Sequence, residues 1–221
     1  MFRDRIDAGQ QLAEMVASRL KRPSGPPGPP GLEGAVVLGL PRGGVPVAAV
    51  VADALGLPLD VLVVRKIGVP WQPELALGAV GESGTVVLND DVLSVDGVGR
   101  GELDALIRKA ADEVESVVAQ LRPAGGAPDL GGRMAIVVDD GVATGATAQA
   151  AAEVVRRSGA GPVILATPVA AASTSERLRS CFDDVICIMA PASFGSVGQY
   201  YEQFEQVSIS HVRRLLGRAP A

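Results

Sequence analysis

The chain has 221 residues, 48% of them hydrophobic, with a formal net charge of −5 and a sequence pI near 5.0. This length suits one α/β domain with its own core, and the acidic balance argues against nucleic acid held by a general basic field, so no DNA partner is expected. Only two cysteines and no long apolar run are present, which argues against a disulfide framework and predicts a cytoplasmic protein with no membrane partner.

Strands and helices alternate along the chain. Residues 6–20 show helical spacing of apolar residues with Asp7 as the predicted N-cap, and the Gly-Pro-rich stretch after them predicts a surface loop. Continuous apolar runs predict buried strands at 35–40 and 58–66, on either side of a helix over 45–56. The alternation continues with VVLN, a helix over 100–121, AIVVDD, a helix over 146–158, PVILATPVA, a helix near 174–181 and DVICIMA. This order predicts an α/β fold, a mostly parallel twisted sheet flanked by helices.

Three predicted strand ends carry polar or glycine-rich residues, and ligands of such sheets bind beyond the carboxyl ends of the strands. The first strand is followed by Pro41-Arg42-Gly43-Gly44, the second ends in Arg65-Lys66, and the third ends in Asp139-Asp140 before a loop of small residues. These strand ends are therefore the predicted ligand site.

The loop after Asp140 has the composition of a phosphate cradle. Gly141, Gly145 and Ala146 permit a tight turn, while Thr144 and Thr147 place hydroxyls where a helix begins, so free N–H groups and the helix dipole converge on an anion. The chain lacks the lysine of a P-loop and the G-x-G-x-x-G pattern, which disfavours nucleoside triphosphates and dinucleotides. Ionised carboxylates accept hydroxyl hydrogen bonds well, so loop and acidic pair together predict a phosphorylated sugar.

Residues 136–148, IVVDDGVATGATA, resemble the ribose-phosphate signature of type I phosphoribosyltransferases, which use phosphoribosyl pyrophosphate (PRPP) and magnesium. The resemblance implies that Ala143 to Thr147 hold the 5-phosphate and that Asp139 and Asp140 contact the 2- and 3-hydroxyls. Residues 41–44 resemble the pyrophosphate loop of that family, and Arg65-Lys66 resembles its basic pair before a mobile loop. Two departures are the alanines at 143 and 146, where the family often has a hydroxyl residue and a glycine.

The resemblance implies a complete PRPP-binding set, in which Arg42, Lys66, Asp139 and Asp140 take part in the chemistry. That set is Arg42, Gly43, Gly44, Arg65, Lys66, Asp139, Asp140, Gly141, Ala143, Thr144, Gly145, Ala146 and Thr147. Positive charge and preorganised donors stabilise a leaving pyrophosphate, which suits the two basic side chains. Magnesium carried by PRPP is expected near the acidic pair, with no ligand set identified in the sequence.

Residues 67–84 contain two prolines, four glycines and the only tryptophan, which predicts a mobile lid that excludes water from a hydrolysable intermediate. Glu74 within them is a candidate to assist a proton of the acceptor base. Residues 191–207 gather two Phe and both Tyr of a chain that is only 3% aromatic. The family holds its acceptor under a variable hood, so 1–22 and 191–221 are hood candidates, and Phe194, Tyr200 and Tyr201 are candidate acceptor-binding residues.

A structural role is the alternative for those aromatics, which then pack the tail onto the core or form a dimer contact. Cys181, Cys187, His211 and the helix over 100–121 are also interpreted as structural. A homodimer is expected from the family resemblance alone.

The sequence therefore predicts one domain over 1–221, with a core at about 35–190 and Mg²⁺-dependent transfer of a phosphoribosyl group from PRPP to a nitrogenous acceptor. Such an activity belongs to nucleotide metabolism and base salvage. Purine-type acceptors are slightly favoured, because Arg65-Lys66-x-Gly followed by a proline resembles the adenine branch. Two alternatives remain at this point: a non-catalytic protein that senses PRPP or a nucleotide, and a hydrolase with water as acceptor.

Overall fold

The computed structural model describes residues 1–20, 32–69, 72–89, 99–122 and 126–217, with backbone alone for 72–76. Within these ranges the α-helices are α1 (Arg5–Leu20), α2 (Gly44–Leu55), α3 (Arg100–Leu121), α4 (Ala146–Arg157), α5 (Ala172–Leu178) and α6 (Ile209–Leu216). The strands are β1 (Val36–Gly39), β2 (Leu59–Val61), β3 (Val64–Val69), β4 (Gln72–Gly81), β5 (Val86–Leu88), β6 (Ala135–Val138), β7 (Val163–Val169) and β8 (Asp184–Met189). None of the described helices combines the length and apolar character that crossing a membrane requires.

Five parallel strands form the main sheet, in the order β2-β1-β6-β7-β8. Every residue of β1, β6 and β7 is buried, which explains why these segments are continuous apolar runs. Alternate residues of β1 face opposite cores: Leu38 packs with the α4 side, and Val37 packs with α1 and α2. The predicted α/β fold, a mostly parallel sheet flanked by helices, is therefore confirmed.

A second, smaller sheet contains two segments that the sequence pattern predicted as strands of the parallel sheet. The apolar run 58–66, predicted as one strand, breaks after Val61, and its second half becomes β3 of an antiparallel sheet ordered β3-β4-β5. The predicted strand VVLN forms β5 of the same sheet. Residues 61–64, on both sides of the break, are all buried, and β3 packs against α3 and α6. Hydrophobicity alone therefore gave no sign of the break.

A buried ion cluster ties the two sheets together where the chain crosses between them. Arg122, just after α3, has its Nε 2.9 Å from Oδ1 of Asp60 and also pairs with Glu82. Glu82 accepts a hydrogen bond from the backbone N–H of Val63, in the crossing itself, at 3.0 Å. Burial raises the pKa of Asp60 despite the neighbouring guanidinium.

The predicted helix over 6–20 is confirmed as α1, but the predicted cap at Asp7 is wrong. Oδ1 of Asp4 accepts from the backbone N–H groups of Ile6 and Asp7, at 2.9 and 2.8 Å, so Asp4 caps the helix. A carboxylate that accepts N–H groups two and three residues ahead has the usual geometry of an N-cap. Most of the Gly-Pro-rich loop predicted after α1 lies outside the described residues.

The two terminal segments pack against each other. Phe2 donates its N–H to the carbonyl of Tyr200 at 2.8 Å, and Glu202 donates to the carbonyl of Phe2 at 2.9 Å. The rings of Phe2 and Tyr201 lie 5.4 Å apart in a small buried cluster. The N-terminal residues and the aromatic tail therefore form one layer beside the main sheet.

Candidate functional site

Two neighbouring strand ends form the centre of the site. β1 and β6 pair in register from Val36 to Gly39, so the turn after β1 and the acidic pair after β6 emerge side by side. This position is the topological switch point of the sheet, since β1 connects to β2 on one side and β6 lies on the other. The peptide bond between Pro41 and Arg42 is cis.

Glycine is required where the turn contacts the acidic pair. A Cβ added at Gly43 would lie 2.0 Å from Oδ2 of Asp140, and one at Gly44 would lie 2.6 Å from the carbonyl of Val138. Real Cβ atoms do not approach other atoms so closely. The turn and the acidic pair are therefore packed as one unit.

The small-residue loop leads from Asp140 into the N-terminus of α4. Gly145 precedes the helix at φ 78°, and no side chain caps the helix there. The hydroxyl of Thr174 donates to the carbonyl of Ala143 at 2.8 Å, and Arg177 donates to the carbonyl of Thr144. With the loop anchored through these carbonyls, the backbone N–H groups at the start of α4 have no intrahelical partners and suit an anion.

The acidic pair has an uneven electrostatic environment. Oδ2 of Asp140 lies 2.8 Å from both Nε and Nη2 of Arg5, and the side chains of this pair are only 13% and 12% exposed. The hydroxyl of Tyr201 donates to the carbonyl oxygen of Asp140 at 2.6 Å. Desolvation, followed by the charge of Asp140, raises the pKa of Asp139 well above its usual range.

A cavity of about 390 Å³ opens beside Asp140 and the glycine turn. Five of its eight lining residues are polar or charged, and the lining comprises Arg5, Arg42, Gly43, Asp140, Phe204, Glu205, Gln206 and Val207. Arg42 is exposed at its rim. The cavity joins the strand-end loops to the chain tail.

The predicted basic pair divides between two faces of β3, because successive side chains of a strand point to opposite sides. Lys66 lines a cleft of about 350 Å³ together with Thr144 and Ala146, next to the phosphate-type loop. Arg65 instead faces α3, where its Nε lies 3.4 Å from Oε2 of Glu113. The structure therefore brings Lys66 to the loop and directs Arg65 away from it.

The predicted lid over 67–84 forms most of the antiparallel sheet, with Ile67 and Leu77 buried against α3. Its mobility stays a prediction. The side chain of Glu74 and residues 70–71 lie outside the described part of the chain.

The tail aromatics differ from one another in their surroundings. Phe194 and Tyr200 stack at 5.3 Å, and the Tyr200 hydroxyl donates to the carbonyl of Ser193. Tyr201 is 5% exposed and lies beneath Asp140, so its ring is not presented to the cavity. Phe204, which is 37% exposed, borders the cavity, and the acceptor contacts at Phe194, Tyr200 and Tyr201 stay predictions.

Arg5 is the site residue that the sequence did not reveal. Its guanidinium stacks over the ring of Phe204, 4.0 Å from the centroid, and its Nη1 donates to the carbonyl of Glu205 at 2.8 Å. A basic residue in the first turn of a helix is unfavourable for the helix dipole, and this was the one available signal.

A magnesium ion brought by a phosphate ligand is compatible with the site. In the described residues no group of three or more His, Cys, Asp or Glu side chains could hold a metal ion. Mg²⁺ commonly uses one or two carboxylates together with substrate phosphates and water, so the acidic pair suffices. Asp139 fits this role better, since Oδ2 of Asp140 already binds Arg5.

The fold and the site define an α/β protein with an uncapped helix N-terminus and an acidic pair at the switch point of a parallel sheet. Comparison with known families makes the assignment more specific. Residues 11–205 match the family described as phosphoribosyl transferase domain. The chain therefore belongs to the phosphoribosyltransferase family.

Relatives agree with this assignment. Two proteins of Mycobacterium tuberculosis, from strains H37Rv and CDC 1551, carry provisional names as phosphoribosyl transferases, and each is 48% identical over 219 residues. The alignment covers 99% of this chain and 47% of each relative, so the chain spans about half the length of these proteins.

Solved structures with the same fold are also found. The crystal structure of protein TT1426 from Thermus thermophilus has a TM-score of 0.87 at 41% identity and covers 97% of both chains. A protein from Aquifex aeolicus has a TM-score of 0.51 at 13% identity, over 88% of this chain and 78% of that one, and shows the fold alone.

Proposed function

We propose that the protein transfers the phosphoribosyl group of PRPP to a nitrogenous acceptor and releases pyrophosphate. The observation that carries this proposal is the packing of the glycine turn at 43–44 against the acidic pair at 139–140, with the anion-binding loop directly after it. A ligand with a phosphate at one end, sugar hydroxyls in the middle and a diphosphate at the other end matches this sequence of groups.

Binding of PRPP then uses three parts of the strand-end surface. The 5-phosphate accepts hydrogen bonds from the N–H groups and hydroxyls of residues 143–147. The ribose hydroxyls donate to Asp139 and Asp140, and the diphosphate lies towards Arg42, the backbone of Gly43–Gly44 and Lys66. Arg65, which pairs with Glu113, is not included in this proposal.

The reaction forms one bond to C1 of the ribose and breaks another. The acceptor nitrogen donates a pair to C1, the bond from C1 to the diphosphate oxygen breaks, and that pair leaves with pyrophosphate. Arg42 and Lys66 stabilise the negative charge that grows on the leaving group, while the two carboxylates favour the positive sugar centre. Asp139 would hold Mg²⁺ brought by PRPP, and the metal would supply further charge neutralisation there.

The cavity beside Asp140 is the proposed acceptor site. Phe204 and residues 205–207 border it, and an aromatic side chain beside polar residues suits a planar nitrogenous base. A purine-type base is the first candidate, on the strength of the sequence resemblance of Arg65 to Pro70 to the adenine branch.

The test is Mg²⁺-dependent pyrophosphate release from PRPP across a panel of purine and pyrimidine bases. Asp139→Asn/Asp140→Asn is the inactive reference, and Asp104→Asn/Asp112→Asn, on the exposed face of α3, changes the charge equally without touching the site. Release with one base in the wild type and the α3 variant, absent in the reference, supports the proposal. Release that the reference retains would refute the assigned role of the acidic pair.

A PRPP-sensing protein without turnover is the second candidate, because no described residue of the site is assigned to take the proton of the acceptor, and the side chain of Glu74 lies outside the described residues. Such a protein would bind PRPP in calorimetry and release no pyrophosphate with any base of the panel.

A further inference from the structure

The guanidinium of Arg5 is shared between the acidic pair and the chain tail. Nε and Nη2 both lie 2.8 Å from Oδ2 of Asp140, Nη1 donates to the carbonyl of Glu205, and the Phe204 ring covers one face. The side chain is only 12% exposed. Burial of this kind costs desolvation energy, so the pair calls for an explanation beyond simple attraction of charges.

Holding the N-terminal segment in place does not require this ion pair. The same segment is fixed by backbone hydrogen bonds from Phe2 to Tyr200, from Glu202 to Phe2 and from Gln203 to Arg3, at 2.8–2.9 Å. The buried ring contact of Phe2 with Tyr201 adds apolar packing. The ion pair is therefore placed where the segment is already attached.

The ion pair with Arg5 fixes one carboxylate oxygen of Asp140 and does not involve the other. In the described part of the chain, both guanidinium contacts of this carboxylate go to Oδ2, and the neighbouring carboxyl of Asp139 also interacts with the Asp140 side chain. The Tyr201 hydroxyl fixes the backbone carbonyl of the same residue. Asp140 is thus held at two points, and Oδ1 is the carboxylate oxygen that Arg5 does not occupy.

We propose that Arg5 is a positioning residue of the phosphoribosyl site: it orients Asp140 so that Oδ1 meets a ribose hydroxyl of PRPP. This inference rests on the proposed use of PRPP and adds the N-terminal helix to the site. Because the contact acts on the bound sugar rather than on the leaving group, it stabilises ground state and transition state alike, and its loss appears in KM more than in kcat.

The experiment measures the Kd of PRPP by calorimetry with Mg²⁺, and kcat and KM with the active base, for the wild type, Arg5→Gln and Arg5→Lys. Arg3→Gln, two residues earlier with a side chain 62% exposed, is the matched control. Arg5→Gln is expected to raise Kd and KM about tenfold or more, as for loss of a charged hydrogen bond, with a smaller change in kcat. Arg5→Lys recovers part of the affinity, since one N–H can still reach Oδ2, and Arg3→Gln matches the wild type.

Wild-type affinity in a folded Arg5→Gln variant would overturn the positioning role. Tighter binding would also overturn it, since Arg5 would then compete with the ribose for Asp140. In the Asp140→Asn background the substitution should have no further effect on Kd, and an equal effect there is a third contrary result. If Arg5→Gln loses its native melting transition, Arg5→Lys decides through the same comparison: a change in Kd that persists unchanged in the Asp140→Asn background contradicts the proposal.

Failure of the proposed function is a separate result. A wild-type protein that does not bind PRPP refutes the proposed substrate, and with it the role of Arg5. Binding by the wild type with equal binding by the Arg5 variants refutes the role of Arg5 alone.

Discussion

The five-stranded parallel sheet and the three-stranded antiparallel sheet both reach the candidate site, but they hold its residues differently. The parallel sheet sets the glycine turn and the acidic pair by register, with buried strands below them and no room for a Cβ at Gly43. The antiparallel sheet carries Lys66 on a strand of its own and joins the main sheet at the crossing through the Arg122 cluster. In the proposed binding mode, the sugar and its phosphate would therefore bind a surface fixed by packing, whereas Lys66, the proposed leaving-group cation, belongs to a separate sheet.

The largest effect is expected where the fixed surface is tightest. Gly43→Ala puts a methyl group 2.0 Å from Oδ2 of Asp140, so either the turn or the carboxylate must move. We expect loss of detectable pyrophosphate release and a decrease of about 1–3 kcal/mol in the free energy of unfolding, as for other overpacked sites. Gly101→Ala, with nothing within 4 Å of the new Cβ, is the control. Normal turnover in Gly43→Ala would show that the turn is not fixed by packing.

The attachment of the second sheet is tested by Arg122→Met. The substitution leaves Asp60 and Glu82 buried without their cation, which costs about 3–5 kcal/mol in comparable sites. Urea unfolding measures this loss, and Arg108→Met on the exposed face of α3 should stay within about 0.5 kcal/mol of the wild type. Amide exchange should accelerate more in β3–β5 than in β1 and β6. Equal acceleration in both sheets would mean that they open as one unit.

A third prediction concerns the folding stability that the protein loses when Asp139 ionises. The pKa of Asp139 is raised in the folded state, so the folded protein binds more protons than the unfolded one between the ordinary pKa of the carboxyl and the raised value. Stability therefore falls as pH rises through that window and stays lower above it. Asp139→Asn removes this loss, and we expect it to be about 0.5–2 kcal/mol more stable than the wild type at neutral pH.

Thermal unfolding of Asp139→Asn and the wild type from acid to neutral pH measures the effect, with Asp112→Asn as the control. The difference between variant and wild type should grow with pH. A constant difference would show that Asp139 does not titrate differently in the folded and unfolded states.

The smallest effect is expected at Tyr201, which supports the backbone of the acidic pair. Tyr201→Phe removes the hydrogen bond to the carbonyl of Asp140 and should cost about 0.5–1.5 kcal/mol in unfolding free energy, with a two- to threefold loss of PRPP affinity. Tyr200→Phe removes a partly exposed hydrogen bond to Ser193 and serves as the comparison. A larger effect of Tyr200→Phe would assign the support to the outer ring pair instead.

The sequence predicted the parts of the fold and the candidate site that depend on residues close together along the chain. Local composition indicates a buried strand such as β6 and the small-residue loop after Asp140. Both lie in the structure where the sequence predicted them. The break after Val61 was missed because a run of β-branched residues does not say which sheet it joins. Arg5 was missed because its partner Asp140 is 135 residues away and nothing near Arg5 specifies that contact.

The joining of the two terminal segments has a consequence for how the protein folds. The acidic pair, its loop and α4 lie within about twenty consecutive residues, whereas the contacts of Phe2 and Arg5 with the tail close loops of about two hundred residues. Long loops are slow to close, so these contacts are expected to form after the parallel sheet. A folding intermediate that precedes this step would have the loop at 141–147 formed but no contact between Arg5 and Asp140. We expect such an intermediate to bind inorganic phosphate before it binds a sugar.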